Sequence, residues 1–284
     1  MSSGLGDDEG DLTRKQRREQ ARSERKALEQ AQATRAARRT RLIQLGGAAA
    51  VVVVAVAIIL IATGGGGKKV VAPKSKEANA KVAEVTSLLS GIPQSGNVLG
   101  SPTAPVTLKY YGDLECPICQ DFTLKVLPTL IPKYVRTGKL RIEYHSLSTA
   151  TGKAESGGSE PEGMFKTQQT AALAAGKQNL GWYFIELFYH EQGEEDSGYV
   201  TESFIQGLAA QVPGLNLANW TTARNDPTYA NTLTADAQAA NQAGFTGTPS
   251  FELGKTNGTF KPFEAGTFEE TTPYEAAIEK LLTS

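Results

Sequence analysis

The stretch GDLECPICQDF, Gly112–Phe122, holds the only two cysteines of a 284-residue chain. Cys116 and Cys119 are separated by Pro117 and Ile118. The segment PVTLKYYGD just before them is rich in β-branched and aromatic residues and bounded by Pro and Gly, which predicts a strand. After them, CQDFTLKVLPTLIPKYV places Phe122, Val126, Leu127 and Leu130 at helical spacing, and Pro128 is expected to kink the helix or end its first part. A second strand, LRIEYHSLS, is expected at Leu140–Ser148. The cysteines therefore belong to a strand–helix–strand unit, between the strand and the first helical turn.

Composition bounds what such a pair can be. Lys and Arg number 29 and Asp and Glu 30, so net charge names no partner. Two cysteines cannot build a disulfide scaffold, so any folded domain rests on a hydrophobic core. A zinc site would need about four ligands, and beyond the cysteines the chain offers only His145 and His190. A purely structural disulfide would close a tiny loop and add little stability. Two unpaired buried cysteines are the remaining bland alternative. A reactive pair has a physical rationale. The free N–H groups and dipole at a helix start favour a thiolate at Cys116. Cys119 lies about one turn further in. Pro117 fits the first turn, where its missing N–H costs little.

The compartment matters for this chemistry. LGGAAAVVVVAVAIILIAT, Leu45–Thr63, is uncharged and nearly long enough to span a bilayer. More than about forty residues precede it, which favours an uncleaved signal-anchor over a cleaved signal peptide. Its N-terminal side carries Arg14, Lys15, Arg17, Arg18, Arg22, Arg25, Lys26, Arg35, Arg38, Arg39 and Arg41. The other side has Lys68, Lys69, Lys74 and Lys76 nearby. The larger basic cluster predicts a cytoplasmic N-terminus and places the rest outside, where disulfides persist. The basic tail 1–44 reads as solvated, partly helical and lipid-touching. It has no interleaved aromatics or recognisable module, so no nucleic-acid partner is expected.

Residues 64–94 read as a stalk, with a short amphipathic helix over Glu77–Ile92. PQSGNVLGSPTAP reads as a turn-rich connector. A compact domain is expected over 95–284. Its polar loop TATGKAESGGSEPEG reads as mobile, and a helical block follows over about 165–243. TPSFELG and TFKPFEAG read as strands joined at Asn257-Gly258, and TPYEAAIEKLLTS as a closing helix. This order describes an α/β sheet with a helical insertion.

VTLKYYGDLECPICQDF resembles the active-site segment of DsbA-like thiol–disulfide oxidoreductases in the thioredoxin superfamily. GFTGTPSFELG, Gly244–Gly254, is similar to that family's second signature, and AALAAGKQNLGWYFIELFYHEQ to its inserted helical block. The resemblance implies a thioredoxin-like fold over 95–284. It implies a redox-active disulfide, with Cys116 as the more exposed, attacking cysteine and Cys119 as its buried partner. It casts Pro249 as a cis-proline facing the pair, with Thr248 before it and Pro117 and Ile118 shaping the site. It implies no metal or organic cofactor. The implied partners are exported protein substrates and a quinone-linked membrane protein that reoxidises the pair.

Two departures qualify this picture. Many relatives carry a buried acid where this chain has Tyr110. Asp113 and Glu115 lie nearer the cysteines, in loop positions expected to be solvated, and a negative Glu115 is expected to raise the Cys116 pKa. Strong oxidants of the family often carry His between the cysteines, where Ile118 stands. Both departures point toward a weaker oxidant. A reductase or isomerase of the same fold therefore stays open, as does a tethered binding module without turnover. His145 and His190 are expected to be ordinary structural residues.

Overall fold

A computed structural model of the chain describes residues 76–151, 163–195 and 197–284. The expectations for the basic tail, the apolar stretch Leu45–Thr63, the first part of the stalk (64–75) and the loop 152–162 lie outside these residues. The rest of the expected stalk, 76–94, is instead packed into the domain, because Val85, Leu89 and Ile92 are buried in its core. Among the described residues, no helix is long and apolar enough to cross a membrane.

Helix α1, Lys76–Leu89, buries Val85 and Leu89 against the core. What reads as a turn-rich connector is a small hairpin. Strands β1, Gln94–Ser95, and β2, Val98–Leu99, pair antiparallel. Gly96, at φ 60°, occupies the turn in a conformation that glycine adopts without steric cost. Two-residue strands carry no periodic signal, which hides them in the sequence. The side chain of Asn97 fastens the hairpin by donating to the Tyr144 carbonyl at 2.6 Å.

The central strand β3, Val106–Gly112, pairs parallel with β4, Leu140–Ser146, and antiparallel with β5, Ser250–Lys255. Strand β6, Lys261–Pro262, completes a sheet of order β1-β2-β4-β3-β5-β6. The β5–β6 turn closes one residue earlier than Asn257-Gly258, with Gly258 N–H donating to the Lys255 carbonyl at 2.8 Å. The crossover between β3 and β4 is a helix interrupted by two π-helical turns. It starts as α2, Pro117–Asp121, widens to a π-helical turn at Phe122–Val126, continues as α3, Leu127–Leu130, and widens again at Ile131–Val135. Pro128 and Pro132 have no N–H to give, so the regular ladder cannot hold. Leu127 N–H reaches back five residues to Phe122, and Arg136 N–H to Ile131. The prolines thus widen the helix without ending it.

Among the described residues, five helices lie between β4 and β5: α4, Met164–Gly176; α5, Gly181–His190; α6, Glu202–Ala209; α7, Leu217–Ala223; and α8, Thr228–Gln242. Their core includes Trp182, Phe184, Phe188 and Trp220, all fully buried. The indole of Trp220 donates to the Ala171 carbonyl at 2.9 Å, satisfying its one polar group. Helix α9, Thr272–Thr283, closes the chain and sets Tyr274 against Phe122 and Phe251.

Candidate active site

Strand β3 delivers the chain to the site. Gly112 ends it where a Cβ would lie 2.7 Å from the Tyr144 ring, a gap only glycine fits. The next residues turn, and Cys116 caps α2 in an extended conformation, with Pro117 opening the helix. Cys116 Sγ lies 3.3 Å from the carbonyl oxygen of Thr248, and the Thr248–Pro249 peptide bond is cis. Residues 132 positions apart therefore meet at one sulfur. Cys116 is 6% exposed and Cys119 fully buried. Ile118 is 41% exposed, so the apolar side chain between the cysteines faces solvent.

The two thiols are unequal. The Cys116 thiol is lowered from 9.0 to about 7. Its hydrogen bond with Cys119 is the main cause. The Thr248 side chain and the N–H groups of Cys119 and Ile118 add to it, and burial opposes it. The Cys119 thiol moves the other way, well above the ordinary range. Burial is the main cause, followed by the charge and hydrogen bond of Cys116. The pair therefore holds a thiolate at Cys116 and a proton at Cys119. A net rise of the Cys116 pKa from Glu115 does not occur.

Asp113 and Glu115 correct a second expectation: both are buried, at 0% and 1% exposure. Asp113 is a staple. Its carboxylate accepts from the backbone N–H groups of Thr149, Ala150 and Thr151 at 2.9, 2.9 and 3.0 Å. It also accepts from Glu115 N–H at 3.1 Å and the Thr151 hydroxyl at 2.6 Å. Glu115 accepts from Gln168 Nε2, on α4, at 2.7 Å. The loop before the cysteines is thus fastened to the loop after β4 and to the helical insertion.

Tyr110 stands under the helix start. Its hydroxyl donates to Tyr189 Oη at 3.1 Å and lies 3.4 Å from the Cys119 carbonyl. Tyr189 Oη donates to the Asp113 carbonyl at 3.1 Å. Burial raises Tyr110 and Tyr189 well above 10, so both remain neutral donors. Neutral phenols thus stand beneath the start of the cysteine helix.

Several residues escape a sequence reading. Thr149 bonds hydroxyl to hydroxyl with Thr248 at 2.5 Å. Gln192 Nε2, just past α5, donates to the Leu114 and Cys116 carbonyls at 2.7 and 3.2 Å. Gln120 Nε2 donates to the Tyr189 carbonyl at 2.7 Å. No local pattern marks a Gln or Thr as a clamp; only the fold brings them to the loop. His145 and His190 are both away from the sulfurs. His145 pairs with Asp236 at 2.8 Å on the opposite sheet face, and His190 lines a groove beside α1.

Residues 94–265 match the family model described as Thioredoxin, well over half of the chain. The chain belongs to this thioredoxin family. The probable disulfide bond formation protein D of Bacillus anthracis is 22% identical over 153 residues, covering 54% of this chain and 66% of that relative. Oxidised BdbD from Bacillus subtilis superposes with a TM-score of 0.55 at 20% identity, over 69% of this chain and 98% of that one. α-DsbA1 of Wolbachia pipientis superposes with a TM-score of 0.51 at 19% identity, over 69% and 92%. These superpositions identify the fold, a DsbA-like thioredoxin domain with a helical insertion. The cysteine pair, with the Cys116 thiol lowered and the Cys119 thiol raised, is equipped for thiol–disulfide exchange.

Proposed function

We propose that this thioredoxin-family enzyme introduces disulfide bonds into exported proteins, using Cys116 and Cys119 as the redox pair. The observation that carries the reading is the asymmetry of the thiols: Cys116 is lowered to about 7 beside Thr248, while Cys119 is buried and raised. In the oxidised enzyme, a substrate thiolate attacks Cys116 Sγ. The Cys116–Cys119 bond breaks, and Cys119 leaves and takes a proton. A second substrate thiolate then attacks the substrate sulfur of the mixed disulfide, and Cys116 leaves as a stabilised thiolate. The substrate loses two electrons and the enzyme gains them. A quinone-linked membrane partner is the proposed acceptor that restores the disulfide. Leu45–Thr63 anchors the enzyme as a single-pass protein, with residues 1–44 in the cytoplasm and the domain outside. The catalytic domain includes α1 and β1, with Val85, Leu89 and Ile92 buried in its core, and so reaches back to residue 76 instead of starting at 95.

A second reading runs the electrons the other way. A nucleophilic cysteine near 7 matches thioredoxin (about 7) better than strong oxidants such as DsbA (about 3.5). The Ile118 side chain offers no hydrogen bond that would lower it further. The deciding experiment is the equilibrium reduction potential of the pair in glutathione buffer. A value near about −120 mV supports a disulfide donor; one near about −270 mV assigns a reductase. A Cys119→Ser variant should trap mixed disulfides with exported proteins. Failure to trap any would sink both readings and leave a tethered binding module.

A further inference from the structure

We propose that the groove between α1, the β3–β4 crossover helix and α5 is a docking site for a lysine or arginine side chain on an apolar segment of a partner protein. The groove has a volume of about 750 Å³, within the usual range for ligand sites. Leu88, Leu124, Pro128 and Pro132 form apolar walls, and Glu186 lies among the lining residues. Glu186 is fully buried, and neither of its carboxylate oxygens has a hydrogen-bond partner among the described residues. Leaving a buried carboxyl unpaired is costly. A donor entering the groove would remove that cost.

Around Glu186 the charges of Arg136 and Glu84 oppose each other and His190 is neutral, so the buried Glu186 carboxyl is the lining group left without a partner among the described residues. Arg136 lines the groove, but its guanidinium is committed to the C-terminal end of α1, donating to the Ser90 and Leu88 carbonyls at 2.7 Å each and to Ser87 at 3.3 Å. Lys81, also on α1, pairs with Glu191 at 3.4 Å. Burial lowers the His190 pKa below its ordinary value, so at neutral pH the ring is uncharged. Glu84, exposed on α1, adds a second carboxylate to the lining. Among the described residues, no three His, Cys, Asp or Glu side chains converge as a metal site, which disfavours a metal ion. An organic cation with an apolar stem suits both features: the methylenes lie on Leu and Pro while the charged head reaches the carboxylate.

Burial, reinforced by Glu84, holds the Glu186 carboxyl up at about 8. The empty groove therefore keeps it protonated at neutral pH. An arriving cation selects the ionised form and displaces that proton. Affinity should then rise by up to about tenfold per pH unit toward pH 8 and level off above it.

Fluorescence anisotropy on the full-length protein in detergent tests this. The probe is a labelled Ala-Leu-Leu-Lys-Leu-Ala-Leu peptide, which lacks cysteine. Its counterpart has norleucine in place of lysine. The lysine peptide should bind about tenfold or more tightly than the norleucine one. Glu186→Gln should erase both that preference and the pH dependence. Ser87→Arg, an exposed change that supplies the groove with its own cation, should also abolish binding, and it keeps the test decisive if Glu186→Gln misfolds. Equal binding of the two peptides, or a Glu186→Gln variant that behaves as wild type, overturns the proposal. So does competition by free hexylamine at the same concentration as the peptide, which would assign the groove to small amines. Thiol exchange by Glu186→Gln should match wild type, so failure of the docking site and failure of the redox reading remain separable.

Discussion

The two faces of strands β3, β4 and β5 differ sharply. On one, Leu108, Tyr110, Ile142, Tyr144, Phe251 and Leu253 are buried. The Tyr110 ring packs edge-on against Phe122 and Tyr144, at 5.0 and 5.3 Å between centroids. On the other, Lys109 pairs with Glu252 at 3.2 Å and Arg141 with Glu143 at 2.7 Å. Tyr111 donates to Glu252 at 2.9 Å and stacks on His145 at 4.9 Å. Successive side chains on a strand point to opposite faces. One short strand, β3, thus carries Tyr110 toward Cys119 on the dry side and Lys109 and Tyr111 into an ionic network on the other. The dry face sets the redox chemistry. The charged face holds α8, because Asp236 accepts from His145 Nδ1 at 2.8 Å and from Ser146 N–H at 2.9 Å.

The largest expected effect lies on the dry side and concerns function without stability. Cys116→Ser should reduce disulfide exchange to the uncatalysed rate while the melting temperature moves little. A variant that kept turnover would remove Cys116 from the chemistry. Asp113 comes next, since it links both faces through the loops that leave them. Asp113→Ala strands several buried N–H donors at once. It should cost on the order of 3–5 kcal/mol by urea unfolding and expose the cysteine loop. A loss below about 1 kcal/mol would show that water replaces the staple.

On the charged face the expected effect is smaller and depends on pH. Burial opposes charge on His145, but Asp236 and then Glu143 outweigh it and hold its pKa at about 9. A pKa above the unfolded value of about 6.5 gives stability that is complete below pH 6.5 and fades as pH rises through 9. The contribution is on the order of 2 kcal/mol. Unfolding free energies measured from pH 6 to 10 should show this decline in wild type and lose it in His145→Gln. The redox potential, read on the other face, should move no more than the pair's own titration requires.

How much of this was legible in the sequence follows the same division. The strand, the cysteines at a helix start and the TGTPSF segment are local patterns, and each is written in consecutive residues. The charged face is not. His145 meets Asp236 across 91 positions, and a polar residue on a strand reads as solvated until a helix covers it. Asp113 is hidden for the same reason: a loop acid looks hydrated when its donors lie 36 to 38 residues away. Pro128 was half legible, because a missing N–H predicts a broken ladder but not that a wider turn will carry the helix through.

The smallest effect tests whether the loop after β4 tunes the sulfur itself. Thr149 is held by Asp113 through its backbone and by Thr248 through its hydroxyl. The Thr248 side chain helps lower the Cys116 thiol to about 7. Thr149 is thus a positioning residue that reaches the sulfur only through Thr248. Removing its hydroxyl frees Thr248 to rotate, and a hydrogen bond to the Cys116 thiolate should then be made less often. Thr149→Val should raise the midpoint of Cys116 alkylation by iodoacetamide from about 7 by roughly half a pH unit, and Thr149→Ser should restore it. A purely structural role would leave the midpoint fixed while lowering the melting temperature. A downward shift would mean that Thr149 competes with the thiolate for the Thr248 proton, which reverses the sign of its influence and makes the loop a brake on thiolate formation.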